Sequence, residues 1–472
     1  MNKIIRSICL FALILLFLPA LCIPFGNKPI VVYYVMSSVF FLALCSFQKK
    51  LRKNIKNLMQ LSAFKYFLIF IAWCIFSGFI NVCLGHYSLG TFFYYIILLL
   101  FICYSLSYLF PAVICDYNIF NRRFLIKFFI IMYHIIFMIG LLEFIGKYFN
   151  ISLLCLPSEV LSSSVFFNEN FVEGNRVRSV FSEPGWYGAF VYLNIPLIYT
   201  FARTKYKIFK NNILNIGLKN TLIPMLWINI IVTRSAIWLI FNILISIIFL
   251  RQYIVNMIKK TYILISILVL FLILFIIFML NTSNLESTLG MYYRIVIVCS
   301  NVTNPDTILS QIPSLATRIL SYAAILKIAC SNLLFGIGLG NVQYRIANVL
   351  ARKDILTPEL IYNLQMSNVT GKMRFCTAIF YQYLAEIGII GLSLFYYFIY
   401  KSYKYLNKIK IFFYGLNKEI IDALLFTHIS IACILIYDVP VANYYVFFLL
   451  GLSNIYILIG HQYVKLLRRS KK

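Results

Sequence analysis

Four short segments between residues 176 and 391 combine arginine with carboxylate or glycine at spacings that suit the binding of an anion. The first runs from Arg176 and Arg178 to Glu183-Pro184-Gly185. The guanidinium group is a planar, permanently charged fork that binds phosphate or carboxylate oxygens in pairs. Pro184 and Gly185 predict a sharp turn at the start of a helix, where the charge of Glu183 is favoured. Arg178 and Glu183 either pair with each other or both face a cavity.

A second arginine interrupts an otherwise continuous apolar stretch, 221–250, in the sequence Thr233-Arg234-Ser235. A charged side chain within a membrane is costly unless it is paired or solvated. The motif therefore predicts either a hairpin turn at the outer surface, from which Arg234 reaches water, or a buried site that uses its charge.

The third segment begins at Arg318 and leads into the glycine-rich stretch Gly336–Asn341, with Arg345 shortly after it. Glycines permit close approach of the backbone and leave amides able to bind an anion, so Gly338 and Asn341 are candidate substrate-binding residues. The stretch lacks the preceding strand of a dinucleotide site and the Gly-Lys-Ser/Thr of a phosphate-binding loop, which argues against a nucleotide ligand.

The fourth segment begins at Arg374 and continues into an apolar helix that carries Tyr381, Gln382 and Glu386. Tyr381 and Gln382 are expected about one turn inside the helix, with Glu386 four or five residues deeper on roughly the same face. A carboxylate within a membrane is a functional candidate by default, and its alternative role is to pair with an arginine or cap a helix.

The composition places these segments in a membrane protein. Of the 472 residues, 62% are hydrophobic and 12% are charged, whereas a soluble domain has about 25% charged residues. The apolar runs are close to the length that crosses a hydrocarbon core of about 30 Å. We therefore predict an all-α polytopic membrane protein. Its twelve predicted transmembrane helices cover approximately residues 4–23, 30–47, 65–84, 89–111, 124–148, 188–202, 219–232, 236–250, 261–281, 379–400, 420–437 and 444–461.

The distribution of basic residues predicts the orientation of these helices. With a cytoplasmic N-terminus, 29 of the 42 lysines and arginines fall in inner segments, as the positive-inside rule requires, and both termini are cytoplasmic. Eight of the other 13 are arginines, although the chain contains more lysine than arginine. A topology signal would not sort arginine from lysine, so the outer arginines indicate an anionic substrate held at the outer face.

Nucleic acid, a metal ion and other cofactors are not expected. The net charge of +28 is spread over short clusters between apolar runs, and no basic recognition module is present, which argues against nucleic acid. The 12 cysteines form no Cys-x-x-Cys pair, and the four histidines lack the spacing of metal ligands. We therefore predict neither a metal site nor another cofactor.

The predicted helices divide the chain into five parts. Residues 1–148 hold transmembrane helices 1–5, residues 188–281 hold helices 6–9, and residues 379–472 hold helices 10–12 and a cytoplasmic tail. The first extracytoplasmic loop is 149–187, and the large extracytoplasmic loop is 282–378. Loops of this length are uncommon and usually functional, and we expect the large one to contain helices along the membrane surface.

Taken in order, the four segments resemble the O-antigen ligase/polymerase superfamily of bacterial envelope proteins over about residues 175–395. Its pattern is an arginine-rich stretch with a Glu-Pro turn, a Ser/Thr-Arg hairpin, an arginine followed by Gly-Ile-Gly, and a helix with Glu-x-Gly-x-x-Gly. Ligases of the superfamily carry His-Asn eleven and ten residues before the first glycine of that helix. This chain has Thr377 and Ala378 there, which favours the polymerase branch, the Wzy-type enzymes.

The resemblance implies a GT-C-like, metal-independent glycosyltransferase in the bacterial inner (plasma) membrane, with its active site facing the periplasm or exterior. Undecaprenyl-diphosphate-linked oligosaccharide would be both donor and acceptor, for O-antigen, capsule or exopolysaccharide. The sequence leaves open which of these polysaccharides is made and whether a chain-length regulator is a partner. An O-antigen ligase and a transporter or flippase of lipid-linked oligosaccharide are the alternatives.

The resemblance also suggests roles for individual residues. Either Glu183 or Glu386 would serve as the base, and Tyr381 would orient the acceptor. A base role requires some distance from the arginines, because nearby cations lower the pKa of a carboxyl group. The arginines expected around the diphosphate are Arg178, Arg234 and Arg318, with Arg374 next, and further substrate contacts are expected from Arg176, Arg345, Gly338 and Asn341.

Overall fold

The structure of this protein is a computed structural model, and the part of the chain that it describes is predominantly helical. The described residues are 10, 14, 22–25, 28–31, 56–58, 62–85, 88–104, 107–108, 122–161, 177–181, 184–204, 211–233, 236–257, 313–351, 358–370, 378–437 and 442–470. In chain order, the helices are α1 (Ser62–Cys83), α2 (Leu89–Tyr104), α3 (Arg122–Phe149), α4 (Ser152–Leu161), α5 (Pro184–Arg203), α6 (Asn212–Val232), α7 (Ala236–Met257), α8 (Pro313–Ser331), α9 (Val342–Leu350), α10 (Pro358–Thr370), α11 (Ile379–Ile409), α12 (Leu416–Tyr437) and α13 (Ala442–Ser470), with a 3₁₀ turn at Lys410–Phe412.

Nine of the twelve predicted transmembrane segments coincide with helices, from α1 to α3, α5 to α7 and α11 to α13. The helix predicted at 188–202 begins four residues earlier, at Pro184, where the fixed φ of proline suits the first helical turn. The helix predicted at 379–400 continues to Ile409. The helix predicted at 261–281 lies outside the described residues.

A β-hairpin lies where the sequence predicted the end of the first helix and the beginning of the second, so the prediction is wrong at these residues. Cys22–Phe25 pairs antiparallel with Lys28–Val31, although these residues overlap the helices predicted at 4–23 and 30–47. Pro24 lies opposite Pro29 in the hairpin, and proline disfavours a helix interior because it lacks an amide donor. The two residues between the strands, Gly26-Asn27, are of a type that favours a tight hairpin turn.

Four of the described helical segments are long and apolar enough to cross a membrane. The length of 18 or more apolar residues matches the thickness of a hydrocarbon core, and the protein is therefore a helical membrane protein. The described parts of α4, α7 and α13 add shorter apolar helices. The four long segments are Ala63–Cys83, Ile126–Phe149, Asn215–Val232 and Ile379–Phe412.

The chain divides into two compact units. The first unit comprises residues 1–16, 32–125 and 312–472, and the second comprises residues 17–31 and 126–311. In the first unit, α11 is central and packs against α1, α8, α12 and α13. In the second unit, α5 packs against both α6 and α7, and its Asn194 accepts a hydrogen bond of 2.7 Å from Tyr133 of α3.

The predicted large loop contains three described helices, α8, α9 and α10. The first of them, Pro313–Ser331, includes Arg318. In the first unit α8 packs against α9 and α11, so this part of the predicted loop belongs to the folded core. Placement of these helices along a membrane surface stays a prediction.

Candidate functional site

Arg178 is held in the second unit by a buried glutamate, Glu143. Arg178 is 5% exposed and Glu143 is 0% exposed. One carboxylate oxygen, Oε2, accepts hydrogen bonds from the backbone amides of Arg178 at 3.0 Å and Ser179 at 2.8 Å. The other oxygen, Oε1, accepts a hydrogen bond from Lys147 Nζ at 2.6 Å and lies 3.8 Å from Arg178 Nε. A carboxylate in an apolar helix therefore fixes the backbone at this arginine and forms a longer ion pair with its side chain.

The segment that carries Arg178 also contacts the motif around Arg234. The amide of Val177 donates to the carbonyl of Val232 at 3.3 Å, and Val232 lies two residues before Arg234 in the sequence. Thr233 is buried and donates its hydroxyl to the carbonyl of Ile230 at 2.7 Å. The structure thus brings the backbones of the first two arginine segments together at the end of α6.

The beginning of α5 is packed tightly against its neighbours beside this contact. A Cβ on Gly188 would come within 2.5 Å of the Trp238 ring of α7, so only glycine fits there. Tyr187 donates its hydroxyl to Asn229 of α6 at 2.7 Å, and its ring stacks on Phe181 at 5.6 Å. The segment around Arg178 therefore contacts three helices, α3, α5 and α6.

Cys155 of α4 packs against the backbone of α3 at Glu143. Its Sγ lies 3.8 Å from the Glu143 carbonyl, and a Cβ on Gly146 would lie 2.7 Å from that sulfur. Burial raises the pKa of the Cys155 thiol, and the nearby Glu143 carboxylate raises this pKa further. The thiol is consequently a neutral packing group at physiological pH.

The third and fourth segments interlock within the first unit, because α11 is broken at Gly388, which has φ 70° and ψ −179°. At the break, the amides of Ile337 and Gly338 donate to the carbonyls of Ala385 and Glu386, at 2.9 and 2.8 Å. In return, the amide of Ile389 donates to the carbonyl of Leu333 at 2.8 Å. The glycine-rich stretch therefore supplies the hydrogen bonds that a continuous helix would have made within itself.

Side chains of α1 satisfy further carbonyls at this break. Trp73 Nε1 donates to the carbonyl of Ile387 at 2.8 Å, and Asn81 Nδ2 donates to the carbonyl of Gly336 at 3.1 Å. Ser77 donates its hydroxyl to the carbonyl of Phe335. Irregular backbone in a membrane is tolerated where the protein itself satisfies it, and here α1 does so.

Glu386 points into the glycine-rich stretch and is 1% exposed. Its Oε1 accepts Gln382 Nε2 at 3.0 Å, as the predicted shared helix face requires. The backbones of Gly340 and of Val342, the first residue of α9, lie close enough to the carboxylate to favour its charged form. The two positions predicted to bind a substrate anion are engaged within the chain instead: the amide of Gly338 donates to the backbone carbonyl of Glu386, and the amide of Asn341 donates to the carbonyl of Gly338. The Asn341 side chain donates to the carbonyl of Ile337 at 2.8 Å.

Arg318, Arg345 and Tyr381 are partly exposed in the first unit. Tyr381 stacks on Tyr322 with ring centroids 4.7 Å apart, and Tyr322 lies one helical turn after Arg318 on α8. The structure therefore places the third and fourth segments beside each other at this ring pair. The other predicted site residues, Arg176, Glu183, Arg234 and Arg374, lie outside the described residues.

Glu143 is a residue that reasoning from the sequence missed. It lies within the helix predicted at 124–148, and the rule that singled out Glu386, a carboxylate within an apolar helix, applies equally to it. Its contact with Arg178 spans 35 residues of sequence, so no local pattern links the two.

No known protein family matches this chain, and no curated protein is significantly similar to it. The fold and the described site therefore define its class, a helical membrane protein with a buried, carboxylate-anchored arginine. Among the described residues, no three His, Cys, Asp or Glu side chains are grouped so that they could hold a metal ion.

Replacing Glu386 by alanine is expected to destabilise the protein by about 2–4 kcal/mol, because buried donors of Gln382 and α9 would lose their acceptor. Glu386→Gln should cost less, since its amide oxygen still accepts hydrogen bonds. The thermal unfolding temperature of each variant in detergent micelles measures this effect. Glu419→Ala, a part-exposed site in the first turn of α12, is the control. Unchanged stability of Glu386→Ala would contradict an anchoring role.

Proposed function

We propose that this protein is a membrane glycosyltransferase that polymerises lipid-linked oligosaccharide repeat units. The observation that carries the proposal is the contact between the two arginine segments, in which Val177 bonds to Val232 and Glu143 holds Arg178. Arg178 is buried within the protein, and a buried, permanently charged side chain in a membrane protein is a candidate for a functional role. An anionic diphosphate on a lipid is a ligand that such an arginine suits.

The proposed reaction moves a growing glycan between two lipid carriers. The bond between the anomeric carbon of the glycan and an oxygen of undecaprenyl diphosphate breaks. A new bond forms between that carbon and a hydroxyl oxygen of the incoming repeat unit, whose proton passes to a base. The leaving diphosphate keeps the electron pair, and Arg178 with Arg234 would stabilise its developing charge, as preorganised cations do without a metal. The reaction needs no nucleotide, because the lipid diphosphate is the leaving group.

We propose Glu183, rather than Glu386 or Glu143, as the base. Glu386 is buried and accepts from Gln382, and Glu143 already accepts two backbone amides and a lysine. A general base must reach the proton that it removes. Glu183 immediately precedes Pro184, the first residue of α5, and lies five residues after Arg178 in the sequence.

Reconstitution tests the proposed function directly. Purified protein in lipid vesicles would receive a single undecaprenyl-diphosphate-linked repeat unit, without nucleotide and with EDTA. We expect a ladder of polymer bound to the lipid carrier, resolved by gel electrophoresis. In a second reaction that also contains a lipid A core or an acceptor protein, transfer of the glycan to that acceptor without a ladder would instead identify a ligase.

A transporter is the second candidate, and the break in α11 at Gly388 is the observation that favours it. Discontinuous helices often surround the substrate site of membrane transporters. Here, however, the backbone carbonyls and amides at the break already have hydrogen-bond partners within the protein. These partners are Trp73, Asn81 and the glycine-rich stretch. Movement of the intact lipid-linked unit across the vesicle bilayer, without polymer, would establish the transporter and overturn the polymerase.

A further inference from the structure

Glu143 binds the Arg178 segment in a way that an ordinary salt bridge would not. Its Oε2 contacts the backbone amides of two successive residues, Arg178 and Ser179, while Oε1 faces Lys147 and the Nε of Arg178. Two adjacent amides that converge on one anion form a backbone nest. The carboxylate therefore specifies the course of the main chain at Arg178 as well as neutralising charge.

The backbone at this nest is in a conformation that needs external support. Ser179 has φ 53°, in the left-handed region, which costs a residue with a Cβ about 1–2 kcal/mol. Such conformations persist where surrounding contacts fix them. The Ser179 hydroxyl donates to the carbonyl of Ile136 at 2.7 Å, and Ile136 lies two turns before Glu143 on α3. The segment is thus attached to α3 at two residues, Ile136 and Glu143. Of these, Glu143 is the one that binds the backbone at Arg178 itself.

We infer that Glu143 is a positioning residue for Arg178: it holds the arginine where its charge can act on a bound anion. The functional half of this inference rests on the polymerase proposed above, whereas the anchoring half does not. Glu143→Gln removes the charge and turns an NH₂ group toward donors, so it should release the segment. Glu143→Asp keeps the charge on a shorter side chain and should restore part of the effect.

Limited proteolysis tests the anchoring without any assumption about activity. Trypsin cleaves after arginine, and the Arg178–Ser179 bond is buried in the folded protein. Cleavage of a transiently opened site follows the population of the open form, so we expect Glu143→Gln to accelerate cleavage at this bond about tenfold. Glu143→Asp should fall between it and the wild type. Glu419→Gln, the same chemical change in α12, should leave the rate unchanged. Mass spectrometry identifies the bond, and the unfolding temperature of each variant shows whether the rest of the fold is intact.

The rate of polymer formation tests the link to function. We expect Glu143→Gln to lower kcat by about 10–100-fold with a smaller change in KM, because a displaced arginine loses contact with charge that develops in the transition state. Glu143→Asp should recover part of kcat. Unchanged cleavage at Arg178–Ser179 in Glu143→Gln would overturn the inference whatever the activity. Faster cleavage with an unchanged kcat would overturn the link to catalysis. If the wild type makes no polymer, the proposed function fails, and the proteolysis result alone decides whether Glu143 positions Arg178.

Discussion

Gly388→Ala is expected to prevent the first unit from folding correctly, with a loss of stability of about 4 kcal/mol or more. A Cβ at this position would lie well inside 3.0 Å of the carbonyl of Leu334, a backbone group that cannot swing away. The φ of 70° adds strain for any residue with a side chain. The displaced segment would also lose the Ile389–Leu333 hydrogen bond. Thermal unfolding in detergent micelles, followed by circular dichroism and by size-exclusion chromatography, measures the effect.

Gly90→Ala is the matched control for this substitution. Gly90 lies in α2, and no atom outside its own stretch of helix comes within 4 Å of a Cβ built there. Alanine at an open helical site should be neutral or should stabilise the protein by about 0.5–1 kcal/mol. If Gly388→Ala and Gly90→Ala unfold at the same temperature, α11 and the glycine-rich stretch do not interlock as described.

Arg178→Ala is expected to lower the rate of polymer formation by about 10²–10³-fold, which is the typical cost of removing one preorganised charge from a transition state. Arg178→Lys should retain part of the rate, because it keeps the charge and loses the bidentate fork. The initial rate of ladder formation in vesicles, at several donor concentrations, gives kcat and KM for each variant.

Arg203→Ala controls for the loss of an arginine from the same unit. Arg203 is exposed at the end of α5, where its guanidinium lies 5.8 Å from the centre of the Tyr199 ring, and its replacement should change the rate by no more than about twofold. Arg178→Ala also leaves Glu143 with one contact fewer, so its unfolding temperature must be measured beside its activity. Equal rates for Arg178→Ala and Arg203→Ala would show that Arg178 has no role in the reaction.

The glycine-rich stretch shows what a local sequence pattern can and cannot predict. The sequence predicted Gly338 and Asn341 as anion-binding positions, but their backbone amides donate to the carbonyls of Glu386 and Gly338. The pattern could not reveal that the stretch pairs with the backbone of α11 at Ala385 and Glu386, because the two segments are more than 40 residues apart. Their pairing depends on the break at Gly388, and a Glu-x-Gly-x-x-Gly pattern is equally compatible with a continuous helix.

The sequence by itself determined that this is a helical membrane protein, the approximate positions of nine helices, the start of a helix near Pro184, and the shared face of Gln382 and Glu386. These features are local, because hydropathy over about 20 residues, a fixed proline φ and a four-residue spacing each act within one element. The tertiary structure decided that Glu143 holds Arg178, that Val177 meets Val232, and that the glycine-rich stretch fills the break in α11. Each of these is a hydrogen bond between distant segments, and buried polar groups select such partners only once the helices have packed.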